Sequence, residues 1–237
     1  MKLRNIILAA VAVTACSSAF AADTSPMAQG GTYVGLAGGW GSIDTDSQAM
    51  PFLESLDSTV SASTQSGGFS GRVYLGYLMS FNANSNWLFG PEIGYSYYHN
   101  STYTADFTNE DIPVQNITQS GYGIDMLLNA TYMFNSSFNV AIKPGFQYAF
   151  EKFSTPFVVS GDEEIANSLS MNTNSILPEV NVEANWQVMP DKPFFLGASY
   201  QYIWGNGKNN LDNFFNNGYI SVSSRDMMAL NLEYMFH

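Results

Sequence analysis

Few residues of this sequence could act as a base or a nucleophile. Histidine occurs only at His99 and His237. A serine hydrolase needs a base within hydrogen-bond reach of the hydroxyl group, and His99 has Ser96, Ser101 and Asp106 near it along the chain. Because proximity along a chain does not establish catalytic geometry, we predict that no residue is catalytic and that the protein is not an enzyme.

Residues that bind metals are equally sparse. No two histidines have the short spacing of a zinc site, and the only cysteine is Cys16. The acidic run at residues 162–164 could hold a hard cation loosely, but such a run is more typical of a solvated loop. We therefore predict no metal site and no other cofactor.

A further set of charged residues lies within segments that alternate between polar and apolar residues. The set comprises Arg72, Glu92, Asp125, Lys143, Glu179 and Glu183. An isolated charge is costly in a closed, poorly hydrated interior, so each base should have an acid on a neighbouring strand. We expect Lys143 to pair with Asp125, Glu179 or Glu183.

The clearest of these segments is residues 138–151. Asn139, Lys143, Gln147 and Glu151 share its polar or small phase, and the other phase is apolar and rich in aromatics. Side chains on a strand alternate between faces with a period of two. At about 3.4 Å per residue the segment would extend over roughly 45 Å, much longer than a typical strand of a soluble protein. This length favours lipid on the apolar side and a polar barrel lumen on the other.

Eight such segments occur, at residues 32–40, 69–79, 87–97, 122–134, 138–151, 176–188, 194–204 and 222–236. Long polar connections at 41–68, 99–121, 152–175 and 205–221 alternate with short ones at 80–86, 135–137 and 189–193. Membrane barrels of the up-and-down type show this asymmetry, with short periplasmic turns and longer outside loops. The sequence therefore predicts an all-β, eight-stranded, antiparallel, up-and-down transmembrane β-barrel with four long extracellular loops and three short periplasmic turns.

Three prolines lie inside the predicted strands. Pro91, Pro144 and Pro178 all occupy the apolar phase. Each removes one hydrogen bond from a ladder, so we expect local bulges or gaps at these positions.

The first residues predict secretion. Lys2 and Arg4 precede an apolar run at residues 6–13, and the Ala-Phe-Ala of residues 19–21 offers a cleavage site. We predict a signal peptide at residues 1–21 and an outer-membrane barrel domain at residues 22–237. Alternatively, residues 13–16 resemble a lipobox, and cleavage there would leave a lipidated Cys16.

Charge and hydropathy exclude two further classes of protein. The chain after residue 21 has six basic residues against twenty acidic ones, which argues against binding to nucleic acid. No apolar run reaches the 18 residues or more of a membrane-spanning helix. A secreted chain with alternating aromatic segments predicts the outer membrane of a Gram-negative-type cell.

Four short motifs lie along the predicted strands: YVGLAGGW at 33–40, GRVYLGY at 71–77, GPEIGY at 90–95 and LEYMF at 232–236. They resemble motifs of the OmpA-like eight-stranded outer-membrane barrels and the opacity-type surface proteins. The resemblance implies that Glu92 is a lumenal acid. It also implies that Tyr234 and Phe236 form the terminal signal for the outer-membrane assembly machinery, although here His237 follows Phe236.

The lumen of an eight-stranded barrel is just wide enough for side chains to fill it. We therefore favour a polar network that plugs the lumen. The protein would then have a structural or adhesive role, as a surface antigen whose loops contact lipopolysaccharide or an extracellular partner. A small, porin-like channel that prefers cations is one alternative. A lipid A-modifying enzyme is another, because barrels of this size include such enzymes.

Overall fold

The computed structural model of the protein describes residues 30–43, 61–65, 67–80, 85–106, 115–159, 165–189, 192–206 and 222–236. The predicted signal peptide at residues 1–21, with Cys16, lies outside the described residues. So do the acidic run at 162–164 and His237.

The described residues form nine strands and no helix. The strands are β1 (Gly31–Ile43), β2 (Ser61–Gln65), β3 (Gly68–Leu78), β4 (Trp87–Asp106), β5 (Gln115–Met133), β6 (Phe138–Val159), β7 (Ile165–Gln187), β8 (Phe194–Ile203) and β9 (Arg225–Phe236). In the ranges that the structure covers, no helix is long and apolar enough to cross a bilayer.

All neighbouring strands pair in antiparallel fashion and together close into a barrel. The strand order is β2-β4-β3-β1-β9-β8-β7-β6-β5, and pairing between β4 and β5 closes the sheet. Strands β2 and β3 lie one after the other along the same side of β4, because both pair with it. They therefore count as one strand of the barrel. Gly67 lies between them with φ of 93°, a conformation that favours glycine. The predicted eight-stranded antiparallel barrel is therefore confirmed.

The two phases of each strand separate as the sequence predicts. Along β6, Asn139, Lys143 and Gln147 are buried, whereas Ile142 and Phe146 are 49% and 54% exposed. Closure of the sheet pairs the backbone groups from strand to strand, which lets a barrel cross a hydrocarbon layer without an unpaired edge. The prediction of an inward polar phase and an outward apolar phase is confirmed.

Three predicted connections, 41–68, 99–121 and 152–175, are wrong in extent. Strand β2 (Ser61–Gln65) lies within the first of them. Strand β4 continues to Asp106 and β5 begins at Gln115. Strand β6 continues to Val159 and β7 begins at Ile165. The polar stretches contain threonine, valine, isoleucine and aromatic residues, which favour strands, and within each hairpin the two strands satisfy each other's backbone groups.

The turn between β5 and β6 is short because one side chain closes it. Asn135 Oδ1 accepts hydrogen bonds from the backbone amides of Ser137 and Phe138, both at 2.8 Å. Asparagine is favoured in turns because its side chain can bond to the backbone two residues further on. The turn predicted at residues 135–137 is confirmed.

Candidate functional site

The six charged residues predicted to share the lumen all lie inside the barrel. They come from five consecutive strands of the wall: Arg72 from β3, Glu92 from β4, Asp125 from β5, Lys143 from β6, and Glu179 and Glu183 from β7. Each is at most 4% exposed. Period-two alternation directs all six inward, so distant parts of the chain meet in one buried cluster.

Arg72 joins β4 to β5 through two carboxylates. Its Nη2 lies 2.7 Å from Glu92 Oε1, and its Nε lies 2.7 Å from Asp125 Oδ2. Ser96 Oγ donates a further hydrogen bond to Asp125 Oδ2 at 2.6 Å. The planar guanidinium group has several donors in a fixed fork, which lets one side chain hold two acids on adjacent strands.

Lys143 links Glu92, one of the two acids bound by Arg72, to β7. Its Nζ lies 2.8 Å from Glu92 Oε2 and 2.7 Å from Glu183 Oε2. The ammonium group also lies 4.9 Å from the centre of the Tyr74 ring, within the range of a cation–π contact. Glu92 is therefore shared by two bases and is the centre of the network.

Glu92 has a third donor from β1. Tyr33 Oη donates to Glu92 Oε2 at 2.6 Å, and Asn129 Nδ2 donates to Tyr33 Oη at 2.9 Å. Of the three acids expected to pair with Lys143, only Glu183 does so among the described ion pairs. Asp125 binds Arg72, and Glu179 Oε1 accepts from Gln201 Nε2 while its Oε2 has no partner.

A fifth ion pair, which the sequence analysis does not predict, lies apart from this network, nearer the other end of the lumen. Arg225 Nη2 lies 2.9 Å from Glu151 Oε1, and the backbone amide of Ser223 donates to the same oxygen at 3.2 Å. The Arg225 guanidinium lies 5.2 Å from the centre of the Tyr98 ring. The inward direction of Glu151 could have been predicted, because Glu151 is in the polar phase of its strand. That of Arg225 could not, because Arg225 is the first residue of β9 and has few neighbours that establish a phase.

Apolar clusters lie at both ends of the polar network. The cluster at the short-turn end comprises Tyr33, Tyr74, Leu78, Leu88, Met133, Phe195 and Met235. The cluster at the opposite end comprises Ile43, Tyr98, Ala149, Leu177, Ile203, Val222, Met227 and Ala229. Charged groups in the middle are thus enclosed by apolar layers, where an ion pair that loses one partner is strongly destabilised.

Acids outnumber bases among the described lumenal residues. The carboxylates are Glu92, Asp125, Glu151, Glu179, Glu183 and Glu233, and the bases are Arg72, Lys143 and Arg225. Glu233, also absent from the predicted set, accepts a hydrogen bond from Tyr74 Oη at 3.4 Å. If water entered this lumen, its excess of acids would favour cations over anions.

Two residues of the catalytic set considered around His99 make other contacts in the structure. Ser96 Oγ is directed into the lumen, towards Asp125, and the His99 backbone amide donates to Ser70 Oγ at 3.0 Å. The register of the β4–β5 ladder shifts between Tyr98 and Ser101. Among the described residues, no group of three or more His, Cys, Asp or Glu side chains could hold a metal ion.

A closed antiparallel barrel with an apolar outer wall and a buried polar lumen defines the class of small membrane β-barrels. The sequence profile of one family, described as "Outer membrane protein beta-barrel domain", matches residues 27–205. The chain belongs to this family, and the protein is a barrel of the Gram-negative outer membrane. The predicted class and location are confirmed.

Solved structures similar to this chain include three barrels. Neisserial surface protein A is 16% identical, with 86% of this chain and 97% of that chain covered and a TM-score of 0.45. Ail, the attachment invasion locus protein of Yersinia pestis, is 14% identical, with 88% and 99% covered and a TM-score of 0.46. OprG from Pseudomonas aeruginosa is 14% identical, with 87% and 97% covered and a TM-score of 0.46. The sequence matches no curated protein.

Proposed function

We propose that this outer-membrane barrel is a surface interaction protein that binds an extracellular partner through the strands that extend beyond its wall. The observation that carries the proposal is the unequal length of the strands. Strand β7 pairs with β6 from Ile165 onward, but its pairing with β8 begins only at Glu179. Strand β7 therefore runs past the end of β8 by residues 165–178, about 45 Å at the usual strand rise.

The neighbouring strands extend in the same direction. Strand β3 pairs with β4 as far as Gly71 with Tyr97, while β4 continues to Asp106. Beyond the barrel wall, β5 pairs with both β4 and β6. We call this part of the structure the projecting sheet. It consists of β2, β4 after Tyr97, β7 before Glu179, and the stretches of β5 and β6 that pair with them.

The projecting sheet has features of a recognition surface. Strand β6 pairs with one side of β7 from Ile165 onward, and among the described strands none pairs with the other side before Glu179. The chain after β8 reaches that side at Pro178, whose carbonyl oxygen accepts a hydrogen bond from Trp204 N at 3.0 Å. A sheet edge of this kind can bind an extended peptide by strand addition. We therefore favour an extended polypeptide segment of an extracellular protein as the partner.

The closed lumen favours this role over a diffusion channel. Arg72 and Lys143 are held by carboxylates, and apolar clusters enclose them on both sides. An ion crossing this lumen would have to separate buried ion pairs and displace packed side chains, which is costly. The six predicted lumenal residues are thus proposed to stabilise the barrel and to seal it.

Four further predictions from the sequence are part of this proposal. The signal peptide at residues 1–21 directs secretion, and the outward-facing Tyr234 and Phe236, whose rings lie 4.8 Å apart, contact the assembly machinery. The outer wall contacts membrane lipid and lipopolysaccharide. The protein acts without a catalytic group or cofactor.

The test of this function is binding of intact cells to immobilised extracellular proteins. In the trimmed variant, residues 155–169 are replaced by an Asn-Gly turn, a pair that favours tight hairpins. Cells with the wild-type protein should bind, and cells with the trimmed variant should lose that binding although the barrel still folds. A variant with Lys152→Met, at an exposed position just before the removed segment, serves as the control. Equal binding of trimmed and wild-type cells would refute the proposal.

A further inference from the structure

The three prolines of the outer wall lie in two adjacent rows of cross-strand neighbours. Pro91 lies opposite Leu128 in the first row, and Pro178 lies opposite Phe146 in the second. Pro144 precedes Phe146 by two positions on the same face of β6. All three prolines are exposed on the outward face, so they form one local feature although they are distant in sequence.

The β5–β6 ladder opens at the central proline. Pairing is continuous up to Leu127 with Gly145 and resumes at Ala130 with Ile142. Pro144 falls in this interval, and proline has no N–H group to donate. The gap expected at this proline is confirmed. Pro91 also lies at a gap, because the β3–β4 ladder stops at Gly76 with Glu92 and resumes at the bridge between Met79 and Phe89, whereas Pro178 remains paired with Phe146.

The outer wall is recessed along these rows. A groove of about 900 Å³ runs across β3, β4, β5, β6 and β7, and its surface is mostly apolar. We call it the proline groove. Its lining includes Leu75, Tyr77, Pro91, Leu128, Pro144 and Pro178.

The proline groove rises obliquely through the membrane band. Its three prolines lie four, six and eight positions from the aromatic residues at the short-turn ends of their strands, which are Trp87, Phe138 and Trp186. At about 3.3 Å per residue these intervals are roughly 13, 20 and 26 Å along strands tilted by about 40°. These distances correspond to heights of about 10, 15 and 20 Å above the aromatic residues, in an apolar band about 25 Å tall. In the predicted orientation, the groove therefore begins in the periplasmic leaflet and crosses the bilayer centre.

We propose that the proline groove binds an acyl chain of a phospholipid from the periplasmic leaflet. The groove is continuous with the outward apolar face, so hydrocarbon is the material that adjoins it. In a bilayer an acyl chain does not leave water when it enters the groove, so the gain in free energy must come from packing. A groove contacts a chain on more sides than a flat wall does, and close contacts add up over the length of the chain.

The short-turn end of the groove has hydroxyl groups that can bind the polar part of the same lipid. Thr32, whose side chain is exposed, lines the groove next to Tyr77, its cross-strand neighbour. Both residues lie near the short-turn end of the wall, where a hydroxyl group can bond to a lipid ester. The apolar part of the groove then extends upward from that point.

The experiment compares lipid retention by native mass spectrometry. Barrels are equilibrated with vesicles of phosphatidylethanolamine and phosphatidylglycerol that contain lipopolysaccharide, and are then extracted into detergent. Leu128→Trp fills the groove, and Leu230→Trp places the same ring on β9 at an outward position that is 67% exposed and does not line the groove. Wild type and Leu230→Trp should retain a phospholipid, and Leu128→Trp should lose it.

Equal retention by the three proteins would overturn the proposal, and retention of lipopolysaccharide in preference to phospholipid would overturn the choice of leaflet. A second measurement uses only the wild-type protein, in case Leu128→Trp does not fold. A phospholipid with a photoactivatable group in its acyl chain should label β4, β5 and β6 in preference to β9. Uniform labelling of the strands would also overturn the proposal.

Discussion

Replacing Lys143 with methionine should remove a central cation from the lumen while keeping similar bulk. The Lys143 side chain is 1% exposed, and its Nζ lies 2.8 Å from Glu92 and 2.7 Å from Glu183. After the change, Glu92 keeps its contact with Arg72. Glu183 keeps a hydrogen bond from Asn185 Nδ2 at 2.6 Å but loses its cation. The variant therefore leaves a buried carboxylate without a base.

Removal of one partner from a buried ion pair costs about 3–5 kcal/mol, whereas an exposed pair contributes about 0–1 kcal/mol. With a urea dependence of about 3 kcal/mol per molar, the unfolding midpoint of Lys143→Met should fall by about 1–2 M. A shift of this size indicates a dry lumen. In a hydrated lumen, water would screen the unpaired Glu183 carboxylate, and the midpoint would fall by less.

The assay is the urea midpoint of the refolded barrel, followed by tryptophan fluorescence. Lys152→Met is the matched control, because Lys152 is an exposed lysine on the same strand, and its midpoint should stay close to that of wild type. The double variant Lys143→Met with Glu183→Gln should recover part of the loss, since it removes the unpaired charge. A midpoint of Lys143→Met equal to that of wild type would refute the reasoning.

Three other predictions concern topology, lipid contact and catalysis. A cysteine at Asn167 should react with a membrane-impermeant maleimide on intact cells, whereas one at Ser136 should not, and reversed labelling would invert the orientation. Leu128→Arg should destabilise the barrel by about 2–4 kcal/mol because its charge would enter lipid, while Thr102→Arg in the projecting sheet should change stability by less than about 0.5 kcal/mol; equal losses in urea unfolding would contradict this assignment of faces. His99→Ala should leave the lipid A mass spectrum of expressing cells unchanged, and a spectrum that depended on His99 would favour an enzyme.

Alternation in the sequence was sufficient to predict the wall and the inward side chains. In β6, Asn139, Lys143, Gln147 and Glu151 recur at every fourth position, and all four are buried. The charged set could be predicted for the same reason. Closure followed from the count of such segments and from the need to pair every backbone group in a membrane.

The partners within the lumen could not be predicted from alternation. Lys143 is opposite Asn181 in the β6–β7 ladder, yet its Nζ reaches Glu183 on that strand and Glu92 two strands away on β4. Such contacts depend on the stagger of the strands in the closed barrel, and a single sequence gives no measure of that stagger.

The length of the projecting sheet does not follow from the sequence analysis either. Residues 152–159 and 165–175 belong to a predicted long polar connection, because they do not continue the strict polar and apolar alternation of a membrane strand. Outside a membrane, a hairpin needs no apolar face towards lipid, and β6 and β7 remain paired as far as Val159 with Ile165. The pattern that identifies the wall therefore cannot identify the parts of a strand beyond it.

Planar-bilayer conductance of the refolded wild-type protein tests most directly whether the protein acts through its extracellular strands or conducts ions through its lumen. Arg72, Lys143 and Arg225 are each held by a carboxylate in the described lumen, and apolar clusters enclose the centre. The predicted result is no stable conductance step in concentrated potassium chloride. Stable, cation-selective steps from the folded barrel would contradict the sealed lumen and would support a channel.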